Sequence, residues 1–209
     1  FVEPAVACLL RRGIRLRLGE RLRAVSFDGA ALSALDLGDS RIELSAEDRV
    51  ILAVPSWIAT ALLPGLSAPE QNSAIVNAHY RATAPPGAPA MMGLIGGTAE
   101  WVFAFPGRIS VTVSGADAIV DRERADLAEL LWRDVAAAHR VNPELPPWQI
   151  VKEKRATFRA TPEQAARRPP AETRWTNLFL AGDWTATGLP ATIEGAIRSG
   201  NKAARLAAG

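Results

Sequence analysis

The sequence predicts an α/β fold in which one sheet-bearing part is interrupted by an inserted domain of mixed α/β structure. Turn-separated strands at 14–44 suggest a β-meander, and the apolar run Arg49–Val54 is typical of a strand buried on both faces and ended by Pro55. A second apolar strand at 177–182 is followed by a helix, after a long stretch of unlike structure. A chain that leaves a sheet, builds a second domain and returns has this order. The predicted boundaries are 1–55, 56–173 and 174–209.

The first part begins with a predicted helix over Phe1–Arg12, which Gly13 ends. It looks like a helix already in progress, so we expect that the N-terminus has been lost. Cys8 has apolar neighbours on both sides and is expected to be a buried, unreactive thiol. The strands of the meander are predicted at 14–18, 22–27, 32–37 and 41–44, with Gly- and Asp-containing turns between them.

The inserted part is predicted to begin with a short helix that Ser56 caps and Pro64-Gly65 stops. Residues 121–139 form the clearest predicted helix, because leucines recur on one face and acidic residues stand early. Residues 161–173 are rich in Pro and Arg and are expected to be irregular. Strands are predicted at 74–80, 101–105, 109–114 and 149–158.

Composition and charge exclude several classes of function. Basic residues number 24 against 22 acidic ones, and no basic tract with interleaved aromatics indicates nucleic acid binding. The single cysteine rules out an internal disulfide framework and favours a reducing compartment, so we expect a cytoplasmic protein. No signal peptide or membrane-spanning apolar run is visible. Two histidines, no Cys/His cluster and no Gly-x-Ser-x-Gly elbow argue against a metal site and a hydrolase.

A candidate cofactor site follows the C-terminal strand. A carboxylate such as Asp183 at a strand's carboxyl end can accept hydrogen bonds from sugar hydroxyls, and Gly182 lets a ligand approach the backbone. The N-terminus of the next helix, predicted to open at Pro190, favours anionic groups. Alternatively, Asp183 only caps its loop, and the stripe of Ala191, Gly195 and Ser199 only packs on a sheet. The predicted cofactor contacts are Gly182, Asp183, Trp184, Pro190, Ala191 and Thr192.

Two strings in this region resemble the C-terminal motif of the flavin-containing amine oxidoreductases: Leu180-Ala181-Gly182-Asp183-Trp184-Thr185, and the run from Gly188 to Gly200. Segments 101–103, 110–114 and 152–158 are most similar to one branch, the hydroxysqualene dehydroxylases of bacterial squalene and hopanoid biosynthesis. The resemblance covers most of the chain. It implies part of a Rossmann-type FAD domain with an inserted substrate domain.

The resemblance also implies roles for single residues. Asp183 would bind the sugar chain of the flavin, Thr192 would stand beside the flavin and pyrophosphate, and the backbone of Leu22 would meet the adenine. Trp184-Thr185-Ala186 contains no cysteine for covalent attachment, so the implied FAD is non-covalent. The family's N-terminal Gly-x-Gly-x-x-Gly is absent, and Gly93–Gly97 lacks its spacing. We therefore expect this segment alone to bind FAD poorly.

The implied reaction is a reductive dehydroxylation, in which hydride from reduced flavin replaces a hydroxyl group of a polyprenyl or triterpene substrate. His79 is a candidate proton donor, with a locally satisfied strand-end histidine as the alternative. The charges at 152–155 could form an exposed ladder of pairs. Residues 62–64 could touch a membrane that holds the substrate, which would place the protein peripherally at the inner membrane. Candidate tunnel residues are Trp57, Met91, Met92, Trp101, Phe103 and Phe105.

Two alternatives remain open. A carotenoid or phytoene desaturase or an amine oxidase would share the fold but would oxidise its substrate. A truncated product or lone C-terminal domain could instead serve as a binding or scaffold module without catalysis. Upstream coding sequence with an in-frame Gly-x-Gly-x-x-Gly unit would favour an enzyme.

Overall fold

A computed structural model describes residues 2–209 as two compact units. The first unit combines the chain up to Ala68 with Pro169–Gly209, and the second is Pro69–Arg168. The sequence placed these boundaries at 55/56 and 173/174. The second boundary falls earlier than predicted because the segment before the last strand contacts that strand, with the Leu180 N–H donating to the Ala171 carbonyl at 2.8 Å.

Five helices and ten strands make up the described chain. The helices are α1 (Val2–Arg11), α2 (Ser56–Leu62), α3 (Arg124–His139), α4 (Pro162–Ala166) and α5 (Ile193–Ala208). The strands are β1 (Ala24–Asp28), β2 (Ala31–Asp36), β3 (Arg41–Glu43), β4 (Val50–Leu52), β5 (Asn72–Tyr80), β6 (Met91–Gly93), β7 (Trp101–Phe105), β8 (Arg108–Ser114), β9 (Trp148–Phe158) and β10 (Leu178–Leu180).

The first unit holds two small sheets. Strands β1, β2 and β3 form an antiparallel meander, and β10 pairs with β4 in parallel, Leu178 opposite Val50. The prediction that β4 is buried on both faces is wrong, since Ile51 is 40% exposed. Within residues 2–209 this sheet has only two strands, so part of its surface is not packed against other elements.

The second unit is built on a five-stranded antiparallel sheet of order β6-β7-β8-β5-β9. Alternate residues of the strands enter one core together with α3 and the turn that follows β8. Tyr80 joins the two layers, because its hydroxyl donates to the Ala128 carbonyl at 2.8 Å and its ring lies 4.9 Å from that of Trp132. Asp134 of α3 accepts the backbone N–H groups of Thr98 and Ala99.

The other face of this sheet, here called the open face, stays largely exposed. Met91 is 54% exposed, Trp101 43% and Phe105 44%. Strand pairing sets its side chains in three rungs: Gly93, Trp101, Thr112, Asn77 and Val151; Met91, Phe103, Ser110, His79 and Gln149; and Phe105 with Arg108.

Two predicted features of the N-terminal segment are wrong. Residues 14–18 form no strand; Ile14 is 47% exposed and Leu18 86%. An alternating pattern makes a strand only where a neighbour supplies ladder hydrogen bonds. Cys8 is half-buried rather than buried, because α1 buries none of its described residues. Phe1 lies outside the described residues.

Two predictions around short helices are also corrected. Ser56 does not cap α2: Pro55 holds the cap position, and no side chain makes a capping bond there. The segment 161–173 is not wholly irregular, because α4 begins within it. Thr161 caps that helix by accepting the Gln164 N–H at 3.3 Å, and Pro162 suits its first turn.

Candidate cofactor site

Strand β10 delivers the Gly182-Asp183 pair to the end of the parallel sheet. Its start is fixed by Asn177, a buried side chain whose Oδ1 accepts the Leu32 N–H at 2.8 Å and whose Nδ2 donates to the Leu32 carbonyl at 2.9 Å. Its end is fixed by the Ala181 N–H, which donates to the Leu52 carbonyl at 3.1 Å. The loop after β10 therefore starts from a strand that hydrogen bonds hold at both ends.

A closed ring of hydrogen bonds then ties this loop to α5. The Gly182 N–H donates to Ser199 Oγ at 3.0 Å, and Thr185 Oγ1 donates to the Gly182 carbonyl at 2.9 Å. The two hydroxyl oxygens lie 2.7 Å apart. Because Thr185 already donates to Gly182, Ser199 must donate to Thr185. The ring satisfies buried polar groups and sets the position of Asp183 between two of its members.

Gly182 is required by the local backbone. Its φ of +150° is rarely adopted by other residues, and a Cβ there would collide with the indole of Trp184. Trp184 is itself 4% exposed, and its indole N–H donates to the Val54 carbonyl at 2.9 Å. The structure thus places the Trp184 side chain in the packing of the first unit.

The helix expected to open at Pro190 begins at Ile193 instead. Thr192 is its N-cap, with Oγ1 accepting the Gly195 N–H at 3.1 Å, and Pro190 and Ala191 precede it. A Cβ at Gly195 would lie 3.0 Å from the Pro190 carbonyl oxygen, so the loop folds closely over the first turn. The predicted small-residue stripe is correct for Gly195 and Ser199, which are buried, but Ala191 lies outside the helix.

The loop and the helix start together present groups suited to a nucleotide. Asp183 is half-buried at the carboxyl end of β10. The first N–H groups of an α-helix have no partners within the helix and favour negative charge. Glu194 is ion-paired with Arg198 at 2.6 Å, so it belongs to the helix surface. These residues fit a ligand that carries both sugar hydroxyls and anionic groups.

The other predicted contact, Leu22, lies elsewhere in the topology. It is half-buried in the segment before β1, whereas Gly182 to Thr192 follow β10. Sequence reasoning missed Asn177 and Thr185 and treated Ser199 only as a small residue. Ser199 follows Gly195 by four residues, so the sequence places its hydroxyl on the buried stripe of the helix. A buried hydroxyl needs a polar partner, and this was the signal that Ser199 does more than pack.

The second unit carries a polar pair in the middle of its open face. His79 Nδ1 lies 2.9 Å from Ser110 Oγ on the neighbouring strand. Burial, and secondly the charge of Arg108, lower the pKa of His79 below its ordinary value. His79 also lines a pocket of about 350 Å³, together with Arg81, Arg108, Trp148, Gln149 and others.

The other residues predicted to contact the substrate or a membrane lie on different faces of the sheet and in different units. Met91, Trp101, Phe103 and Phe105 share the open face, whereas Met92 packs against the core. Trp57 lies in α2 of the first unit. Leu63 is 1% exposed, so its side chain belongs to the core and cannot contact a membrane surface.

The charges at 152–155 make contacts within the second unit. Lys154 pairs with Asp121 at 2.5 Å, and Lys152 Nζ donates to the Arg122 carbonyl. Within residues 2–209, no helix is long and apolar enough to cross a membrane.

Comparison with known proteins gives consistent matches over the chain. The family described as flavin containing amine oxidoreductase matches residues 5–208. Hydroxysqualene dehydroxylases of Sinorhizobium fredii and Zymomonas mobilis are 54% and 45% identical over 207 residues, 99% of this chain. The chain spans about half the length of these relatives, 50% of each. A putrescine oxidase bound to putrescine is similar in structure, with a TM-score of 0.65 at 18% identity over 97% of this chain and 51% of that one.

Proposed function

The chain belongs to the flavin containing amine oxidoreductase family, and from this premise we propose that it is part of an FAD-dependent hydroxysqualene dehydroxylase. The first unit would bind non-covalent FAD through its Gly182–Thr192 loop, and the second would hold the substrate. The observation that carries this proposal is the identity of 45–54% to hydroxysqualene dehydroxylases along nearly the whole chain. The likeness to more distant structures supports the fold alone.

The first unit supports FAD binding through its own residues. Asp183 would accept hydrogen bonds from hydroxyls of the sugar chain, and the start of α5 would face the pyrophosphate or the flavin edge. Ile193 at the start of α5 is 67% exposed and Ile197, one turn later, 48%. Apolar side chains in this position would be covered by the bound cofactor or by further chain. Reduced flavin supplies a hydride when it is bound.

The second unit supports an apolar substrate. Aromatic and Met side chains line one half of the open face, and a hydrocarbon laid on them would lose contact with water. In the overall reaction the substrate's C–O bond breaks, hydride forms the new C–H bond, and the hydroxyl leaves as water after taking up one proton. A group on the open face must stand near that hydroxyl, and His79 is the titratable candidate.

The proposal is tested on the full-length gene product that contains this chain. The protein is purified, its flavin is reduced without oxygen, and hydroxysqualene is added. Reoxidation of the flavin with formation of squalene is the expected result. Bound flavin that oxidises a carotenoid precursor or an amine instead would overturn the substrate and keep the fold. A full-length protein that binds no flavin would overturn the proposal altogether.

A further inference from the structure

We propose that His79 and Ser110 form a hydroxyl-binding site on the open face, which holds a long apolar alcohol by its oxygen. The inference rests on the proposed function and names the residues that would recognise its substrate. On this face of the sheet, the hydrogen-bonded pair lies beside a strip of exposed aromatic and Met side chains.

The pairing with Ser110 fixes the histidine ring. His79 lies on β5, inside the sheet between β8 and β9, so its backbone is held on both sides. The 2.9 Å contact with Ser110 engages Nδ1, so Nε2 is the ring nitrogen that remains for a ligand. The ring is half-buried, and it borders the pocket shared with Arg108 and Gln149. A ligand atom that enters this pocket would meet an oriented ring.

The chemistry of this pair matches an alcohol. A neutral imidazole has one donor and one acceptor nitrogen, and a serine hydroxyl can serve as either. Nε2 can therefore donate to a ligand hydroxyl or accept from it, whichever way the pair is arranged. Arg108 on the rim lies over the Phe105 ring at 4.6 Å, so its guanidinium is already in contact with an aromatic face. A hydroxyl group satisfies the site without bringing a charge.

The neighbouring rungs supply the apolar half of the site. Phe103 stands opposite Ser110 on the next strand, and Met91 stands opposite Phe103. Strands in a sheet are about 4.8 Å apart, so Phe103 lies about 10 Å across the face from His79. A chain of several carbon atoms spans that distance. An isoprenoid alcohol can thus place hydrocarbon on the aromatic strip while its oxygen reaches Nε2.

The test compares two ligands that differ by one hydroxyl group. Binding of hydroxysqualene and of squalene to the full-length gene product is measured by quenching of tryptophan fluorescence. For His79→Ala we expect affinity for hydroxysqualene to fall about tenfold, as one lost hydrogen bond predicts, with squalene affinity unchanged. Ser110→Ala should cause a smaller loss of the same kind, and adding it to His79→Ala should change nothing further, because Ser110 acts through His79.

Two further variants serve as controls for the apolar contacts and for general effects of substitution. Phe103→Leu should weaken both ligands together, and His139→Gln in the core should change neither. Equal losses for both ligands in His79→Ala, or no loss, would refute the site. If circular dichroism shows that His79→Ala is unfolded, His79→Phe is read by the same comparison. A wild-type protein that forms no squalene refutes the proposed function, whereas turnover with unaffected His79 variants refutes only this inference.

Discussion

The two units differ in how their buried and exposed apolar side chains are arranged. In the second unit, five strands and α3 share one continuous core that includes Val76, Tyr80 and Leu131, each fully buried. In the first unit, α1 buries none of its described residues, and Ile51 and Ile193 are 40% and 67% exposed. Its parallel sheet has two strands within residues 2–209, fewer than such sheets need for independent stability.

This difference bears on the stability of each unit and on where a ligand can bind. The second unit has what an autonomous domain requires, and its exposed apolar side chains gather mainly on one face that a ligand can cover. The first unit carries the Gly182 loop, which is held by hydrogen bonds, and it leaves Ile51 and Ile193 exposed to water. The candidate cofactor loop therefore belongs to the unit whose parallel sheet has two strands within residues 2–209.

We expect the strongest contrast when the two units are expressed separately, because one should fold by itself and the other should not. Residues 69–168 alone should unfold cooperatively in urea, because their core is complete. Residues 1–68 joined through a glycine-serine linker to 169–209 should show no cooperative transition. Circular dichroism during urea titration checks both proteins. A cooperative first unit with an unfolded second unit would reverse the comparison.

A smaller effect distinguishes two adjacent residues of α5. Ser199→Ala removes the acceptor of the Gly182 N–H and a partner of Thr185, so local stability should fall by about 1–3 kcal/mol. Gly200→Ala should raise it by about 0.5–1 kcal/mol, since a Cβ there meets nothing within 4 Å and alanine favours helix.

Amide hydrogen exchange of the α5 backbone in the full-length gene product measures both changes. Faster exchange in Ser199→Ala and slower exchange in Gly200→Ala are expected. Equal protection in the two variants would mean that the hydrogen-bond ring does not hold the loop.

The order of elements could be read from the sequence where local pattern and tertiary pairing agree. The predicted strand 101–105 coincides with β7, and the helix predicted at 121–139 is α3 with a later start. The pattern at 14–18 is equally regular but has no pairing strand, which sequence alone does not reveal. The short β6 was missed because a three-residue edge strand has almost no pattern of its own.

The sequence predicted candidate residues in the loop after β10, but not the hydrogen bonds that hold this loop. The sequence contains a Gly182-Asp183 pair after an apolar strand, and this pattern predicted a site for sugar hydroxyls. The ring through Thr185 and Ser199 joins residues 14 positions apart, and their contact depends on how α5 returns to the sheet. Trp184, which the sequence predicted to contact the cofactor, also has a packing role that the motif did not reveal, because its indole N–H donates to the Val54 carbonyl.

The smallest expected effect is a pH dependence carried by the core of the second unit. His139 is 7% exposed, its Nε2 has no hydrogen-bond partner among residues 2–209, and burial lowers its pKa. The unfolded state therefore binds the proton more readily, and stability should fall as the pH drops below about 6.5.

Urea titrations of residues 69–168 at pH 7.5 and 5.5 measure this dependence. His139→Gln should reduce the decline, and the part that remains should come from His79, whose pKa is also lowered. An unchanged decline in His139→Gln would show that its protonation is not coupled to folding.

The most direct test of the proposed cofactor site is the affinity for FAD of the full-length gene product, measured on the flavin-free protein. We predict that Asp183→Ala weakens FAD binding by about 10- to 100-fold, as the loss of a charged hydrogen-bond acceptor implies. Asp39→Ala, an exposed carboxylate in the turn between β2 and β3, should leave the affinity unchanged. Equal FAD affinity in Asp183→Ala and the wild type would contradict the assignment of the β10–α5 loop as the flavin site.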